Sequence, residues 1–218
     1  NSSAGEFFSI SNGNGTTLGG VAVGLSQHGT DYAVSANISG GTFIGPEGGY
    51  AFYETDNQNE TALDKISASI FGGTFTGGVH SEHLAGFIEG GKFSEALNAA
   101  YIKEGYAQLG GETFTVGTPE KLAELGAVAM VEETATVYTS LQAAINAAES
   151  GNTVLLLDDV SVSSGLFTDT DIVLNLNKNT ITSTDSNAII LLNGADATIQ
   201  NGNIVVAYAG DSDAFGVF

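Results

Sequence analysis

This 218-residue sequence predicts an all-β fold wound as a solenoid, and three observations carry that expectation. The first is a recurring unit, an apolar pair followed by two glycines and an aromatic strand start, seen in Ser69-Ile70-Phe71-Gly72-Gly73-Thr74-Phe75. It returns as Ile38-Ser39-Gly40-Gly41-Thr42-Phe43 and as Phe87-Ile88-Glu89-Gly90-Gly91-Lys92-Phe93, with weaker echoes at Gly19-Gly20 and Gly110-Gly111. The glycine pairs start at 19, 40, 72, 90 and 110, and self-similarity at about 20 residues or more is the mark of stacked repeats. The second is composition: 30 glycines, 42% apolar and only 14% charged residues suit a core-bearing chain of many strands and turns. The third is that only residues 140–149 show a clear amphipathic helical pattern.

In chain order, residues 5–10 read as a short strand closed by the turn Asn12-Gly13-Asn14-Gly15. Residues 21–25, 32–38, 42–44 and 50–53 read as further strands, and 54–60 as a polar loop. Alternation resumes at 65–71 and runs to Phe93. Residues 94–107 break the rhythm, and Leu109 to Val116 reads as a closing strand; together 94–117 are expected to cover an open coil end. Thr118-Pro119 opens a short helix, Pro119 fitting its first turn. Residues 127–131 read as a strand. In the helix at 140–149, Leu141, Ala144, Ile145 and Ala148 share a face, Thr139 or Ser140 caps it and Gly151 ends it. Strands then follow at 153–157, 171–176, 180–182, 188–192, 197–200 and 204–208. Three regions result: 1–117 as coils with a closing segment, 118–139 as a connector, and 140–218 as a capping helix leading into a second solenoid.

The net charge is −20, with five Lys and no Arg. Phosphate backbones and anionic membrane surfaces are gripped by basic clusters, so nucleic-acid partners are excluded. No apolar run reaches 18 residues, so this segment predicts no membrane insertion. With no Cys, disulfides, thiolate nucleophiles and Cys-ligated metals are excluded. The polar start at Asn1 and the strand-like Val217-Phe218 read as the ends of a piece cut from a longer chain.

The stretches SLQAAINAAESGNTV (140–154) and DIVLNLNKNTIT (171–182) resemble the opening of right-handed parallel β-helix domains of the pectin-lyase-like type. The ISGGTF coils and the segment GGKFSEALNAAYIKEGYAQLGGETFTVG (90–117) resemble repeats of large cell-surface proteins of gut bacteria of the Firmicutes type. The resemblance implies all-β units, each a parallel right-handed β-helix, in an extracellular bacterial surface setting. It leaves activity open, because such folds carry lyases, hydrolases, adhesins and phage spikes alike. Enzymes of this superfamily commonly place Arg or Lys with clustered Asp on one face. Here Arg is absent and Lys65, Lys92, Lys103, Lys121 and Lys178 are scattered, a departure that argues against catalysis.

Candidate sites follow from residue types. Asp56, Asn57, Asn59 and Glu60 offer hard oxygens for calcium, without the spacing of an EF-hand; a solvated loop is the plainer reading. No cofactor is required. Tyr50, Phe52 and Tyr53 form an aromatic strand that suits a glycan platform. Phe43, Phe75 and Phe93 occupy equivalent places after glycine pairs, and interior stacking is their expected role. His80 and His83 are spaced for a metal, yet a polar turn is the simpler account, and His28 reads as a loop residue. The acidic pairs Asp158-Asp159, Asp169-Thr170-Asp171 and Asp211-Ser212-Asp213 are the places a polysaccharide-cleaving pair would be sought.

The functional expectation is therefore a non-catalytic structural and adhesive segment of an extracellular surface protein or fibre. Its expected partners are a glycan or host-surface ligand and, through coil ends, further copies. The alternatives are a polysaccharide-binding or polysaccharide-cleaving β-helix protein, and a phage spike or appendage.

Overall fold

The structure, a computed structural model, describes residues 6–8, 20–27, 32–56, 63–210 and 213–218. Strands dominate, and the chain divides into two compact units, Asn1–Thr118 and Pro119–Phe218. The fold is all-β.

The first unit contains β1 (Glu6–Phe8), β2 (Val21–Gln27), β3 (Val34–Ile38), β4 (Thr42–Ile44), β5 (Tyr50–Asp56), β6 (Ile66–Ile70), β7 (Thr74–Thr76), β8 (Gly78–Ser81), β9 (Gly91–Phe93), β10 (Ala107–Leu109) and β11 (Phe114–Gly117). The chain visits three sheets in rotation. Strands β2, β5 and β8 pair in parallel, as do β3 with β6 and β1, β4, β7 and β9. Single parallel bridges carry the second of these sheets onward from Ile70 to Ile88 and from Ile88 to Ile102.

This register places like on like. Ile38, Ile70, Ile88 and Ile102 follow one another across successive rounds, all buried. Phe43, Phe75 and Phe93 form a second column, with ring centroids 4.8 and 4.9 Å apart and interplanar angles of 18° and 9°. The strand spacing of about 4.8 Å sets that separation, and each stacked aromatic pair contributes about 0.5–1.5 kcal/mol beyond its burial.

The two glycines of each corner do different work. Gly73 has φ +114°, a backbone region that L side chains avoid, and Gly41 and Gly91 repeat it at +107° and +121°. Gly72 is needed for proximity: a Cβ there would lie 2.9 Å from the Ser39 carbonyl oxygen of the preceding corner. The Gly110-Gly111 echo differs. It lies in the turn between β10 and β11, which pair antiparallel, so the single strand expected over 109–116 is a hairpin. Strand β11 also runs antiparallel to β9 and ends the parallel stacking.

The second unit opens with α1 (Pro119–Ala123), β12 (Ala129–Val131), β13 (Thr136–Tyr138) and α2 (Leu141–Ala147). Residues 119–139, expected as a connector, belong to this unit: β12 pairs antiparallel with β13 and with β14 (Thr153–Leu156). Ser140 caps α2, its hydroxyl accepting from the Ala143 amide, and Leu141, Ala144 and Ile145 are buried. Then come β15 (Val160–Val162), β16 (Leu166–Thr168), β17 (Ile172–Asn175), β18 (Thr180–Ser183), β19 (Asn187–Leu191), β20 (Ala197–Gln200), β21 (Asn203–Val206) and β22 (Phe215–Val217). The short strands β15 and β16 escaped the sequence reading.

Three parallel sheets result: β14-β17-β20, β15-β18-β21 and β16-β19-β22. Val154, Leu174 and Ile199 align across the first, and Val160, Ile181 and Ile204 across the second. The corners are polar and repetitive. Asn177, Lys178 and Asn201 adopt positive φ, Asn201 donates to Asn175 Oδ1 at 3.1 Å, and Asn177 and Asn179 donate to the Leu156 carbonyl. At two further corners, after β16 and after β18, the Thr168 and Ser183 hydroxyls each bind backbone two residues on.

An unusual contact recurs in both units. Gln142 on α2 accepts from the Phe167 amide through Oε1 and donates to the Phe167 carbonyl through Nε2, both at 2.8 Å. Gln108 on β10 does the same to Leu97, at 2.9 and 3.0 Å. A carboxamide sets an N–H donor beside a carbonyl acceptor, so it pairs with the backbone of one residue as a neighbouring strand would.

Two outcomes test this packing. Phe75→Ala, in the middle of the ring column, lowers stability by about 3–5 kcal/mol in urea unfolding, whereas Thr76→Ala on the exposed side changes it by less than about 0.5 kcal/mol. Gln142→Glu removes the donor and sets a carboxylate against the Phe167 carbonyl; it destabilises the second unit by about 1–3 kcal/mol, read as a lowered urea midpoint.

Candidate functional site

The sheet β2-β5-β8 of the first unit concentrates the polar and aromatic side chains. Alternation along β5 sends Phe52 and Glu54 inward and Tyr53 and Thr55 outward, and on β8 Ser81 points in while His80 points out. The register shifts between Tyr50 and Phe52, which places Tyr50 on the outer side with Tyr53. Phe52, expected in a glycan platform, is fully buried and packs on Phe87 with centroids 5.5 Å apart. An irregularity of one residue decides which aromatics face solvent, and the sequence does not announce it.

Outside, His80 takes the place expected for Phe52. Its ring lies 4.6 Å from Tyr53 and 5.8 Å from Tyr50, and Tyr50 stands edge-on to Tyr53 at 4.9 Å and 74°. Glu82 accepts the Tyr53 hydroxyl at 3.3 Å and the Thr55 hydroxyl. The Tyr53 phenol is held above the ordinary tyrosine range, first by burial and next by the negative charge of Glu82. Tyr50 is 38% exposed.

Beneath this row lies Glu54, 0% exposed, in register between Leu25 and Ser81. Its carboxylate accepts from the Ser81 hydroxyl at 2.6 Å and the His83 amide at 2.9 Å, and His83 Nδ1 is 3.2 Å away. The Ser81 hydroxyl in turn accepts from the Leu84 amide, while the Tyr101 hydroxyl bridges the amide and carbonyl of Ser81 at 3.1 and 3.0 Å. A buried carboxylate is tolerated only with such partners. Together these bonds hold residues 80–84 in one conformation.

The chemistry of this network is that of a clamp. In a serine nucleophile system the imidazole stands between hydroxyl and acid. Here Glu54 stands between Ser81 and His83, so the imidazole does not receive the hydroxyl proton. His80 and His83 diverge, one to the outer rings and one to the buried acid. Among the described residues no group of three or more His, Asp or Glu is placed to hold a metal ion. Of the calcium candidates, Asp56 ends β5, while Asn57, Asn59 and Glu60 lie outside the described residues, as do His28, Asp211 and Ser212.

In the second unit Asp158, Asp159 and Asp171 cap backbone. Asp159 accepts the Thr180 amide of the next round at 2.7 Å, Asp171 accepts the Asp196 amide at 2.8 Å, and Asp158 accepts the Asp159 amide. Asp169 takes the Thr170 hydroxyl at 3.4 Å. Clustered Asp is common in loops and gave the sequence reading no way to separate such roles from chemistry. The Glu54 network escaped it too: residues 54–60 were expected as a polar loop, whereas β5 continues through Glu54 and Thr55 to Asp56.

Glu54→Ala is expected to lower stability by about 3–5 kcal/mol, because it strands the Ser81 and His83 donors, while Glu54→Gln keeps an acceptor and loses less; chemical denaturation ranks the two. No protein-family model, curated protein or solved structure matches the chain.

Proposed function

We propose that the chain is a non-catalytic structural and adhesive segment of a long extracellular bacterial surface protein, built from right-handed parallel β-helix units that display loops and side chains from a stiff support. The observation that carries this reading is the rotation of the chain through three parallel sheets, with partners one round apart. Val154 beside Leu174 beside Ile199 is one such series, and Phe43 beside Phe75 beside Phe93 is another. Stacked rounds bury backbone hydrogen bonds along one axis and bring like side chains into contact, which resists bending and local opening. The roles of Asp159 and Asp171 as backbone caps favour support over catalysis.

Partners follow from the same surface. Self-association along the stacking direction is the first, because an unpaired parallel strand edge offers its backbone groups to another like it. The outer row of Tyr50, Tyr53 and His80 favours recognition of a ligand, and polysaccharide binding is the second reading that this row supports.

Electron microscopy of the full-length protein tests the main reading. Slender rods or fibres are the expected particles, and compact globular particles overturn it.

A further inference from the structure

We infer that the ring corner formed by Tyr50, Tyr53 and His80 is a binding site for a quaternary ammonium group. This rests on reading the first unit as a display scaffold and assigns the chemistry of what it displays to.

Four observations carry the inference. The three rings touch one another on the solvent side of β5 and β8, with Tyr50 nearly perpendicular to Tyr53, so two ring planes meet as a corner. Ring faces carry negative potential and attract cations. Carboxylates flank the corner: Glu82 holds the Tyr53 hydroxyl, and Glu95 lies near Tyr50. A Cβ on Gly78 would sit 2.9 and 3.2 Å from Tyr50 ring carbons and 3.7 Å from a Glu95 carboxylate oxygen. No Lys lies on β2, β5 or β8, and the chain carries a net charge of −20, so the field at the corner draws cations and repels anionic ligands. Finally, the support is fixed beforehand: the buried Glu54 network holds the turn after His80, and Gly78 leaves the space that the Tyr50 ring fills. Acid on both flanks suits a cation better than a neutral sugar, which needs matched donors and acceptors.

The test uses choline chloride as probe, with its neutral isostere 3,3-dimethylbutan-1-ol as control, titrated into the chain and followed by tyrosine and histidine ring signals in NMR. Saturable choline binding in about the millimolar range is expected, with the neutral isostere about tenfold weaker. Tyr50→Leu weakens choline binding about tenfold, and Glu82→Gln with Glu95→Gln weakens it by a similar factor and flattens its salt dependence. The exposed glutamate variants keep the test decisive if Tyr50→Leu unfolds, which thermal melting reveals. Equal binding of choline and its isostere overturns the inference, as does saturable binding of a neutral oligosaccharide in place of choline, or no saturation by choline at about 100 mM. Such a result with rod-shaped particles in the microscope defeats only the ligand class and leaves the scaffold reading standing.

Discussion

The in-register stacking of identical side chains governs this molecule. Phe43, Phe75 and Phe93 lie nearly face to face, and Ile38, Ile70, Ile88 and Ile102 run beside them. A shift of one residue in any round would send its core set to solvent. The glycine corners hold that register. The second glycine supplies the left-handed backbone, and the first lets one corner lie on the carbonyl of the corner before it. In the second unit Asn177 and Asn201 supply positive φ at their corners, while the Thr168 and Ser183 hydroxyls hold other corners by hydrogen bonds, so turns there rest on different chemistry.

Parallel stacking leaves an open edge wherever it stops, and both units treat that edge alike. Antiparallel pairing enters at β11 in the first unit and at β12 in the second, and a glutamine carboxamide binds the backbone of a neighbouring segment, Leu97 in the first unit and Phe167 of β16 in the second. Antiparallel hairpins close locally, which lets them end a stack whose other contacts join distant residues. The helix α2 serves the same end of its unit: its buried face joins the core while Gln142 reaches the backbone of β16.

Against these apolar columns Glu54 stands out as a fully buried acid, and it connects the scaffold to the surface. Its carboxylate sits where the register would place an aliphatic side chain beside Leu25, yet its three contacts all reach the turn that follows His80. A hydrophobic residue would have packed as well and held nothing outside. The buried acid therefore links the positions of two outward groups, His80 and Glu82, to the rigidity of the core.

Strand content, the glycine corners, the inward column of Phe43, Phe75 and Phe93 and the capped helix were all legible in the chain, because each depends on local pattern or on repetition. Glycine pairs recur visibly, and residues at equivalent places in a repeat meet by symmetry. What only the tertiary structure decided depends on contacts between residues far apart in sequence. The register shift at Tyr50 and Phe52 sends Phe52 into the core and leaves His80 beside Tyr53, and the pairing of β11 with the earlier β9 sets the direction in which that strand runs. Glu54 meets Ser81 and His83 only because β8 pairs beside β5. A linear sequence records which residues repeat, and the surface chemistry arose where the repeat is broken.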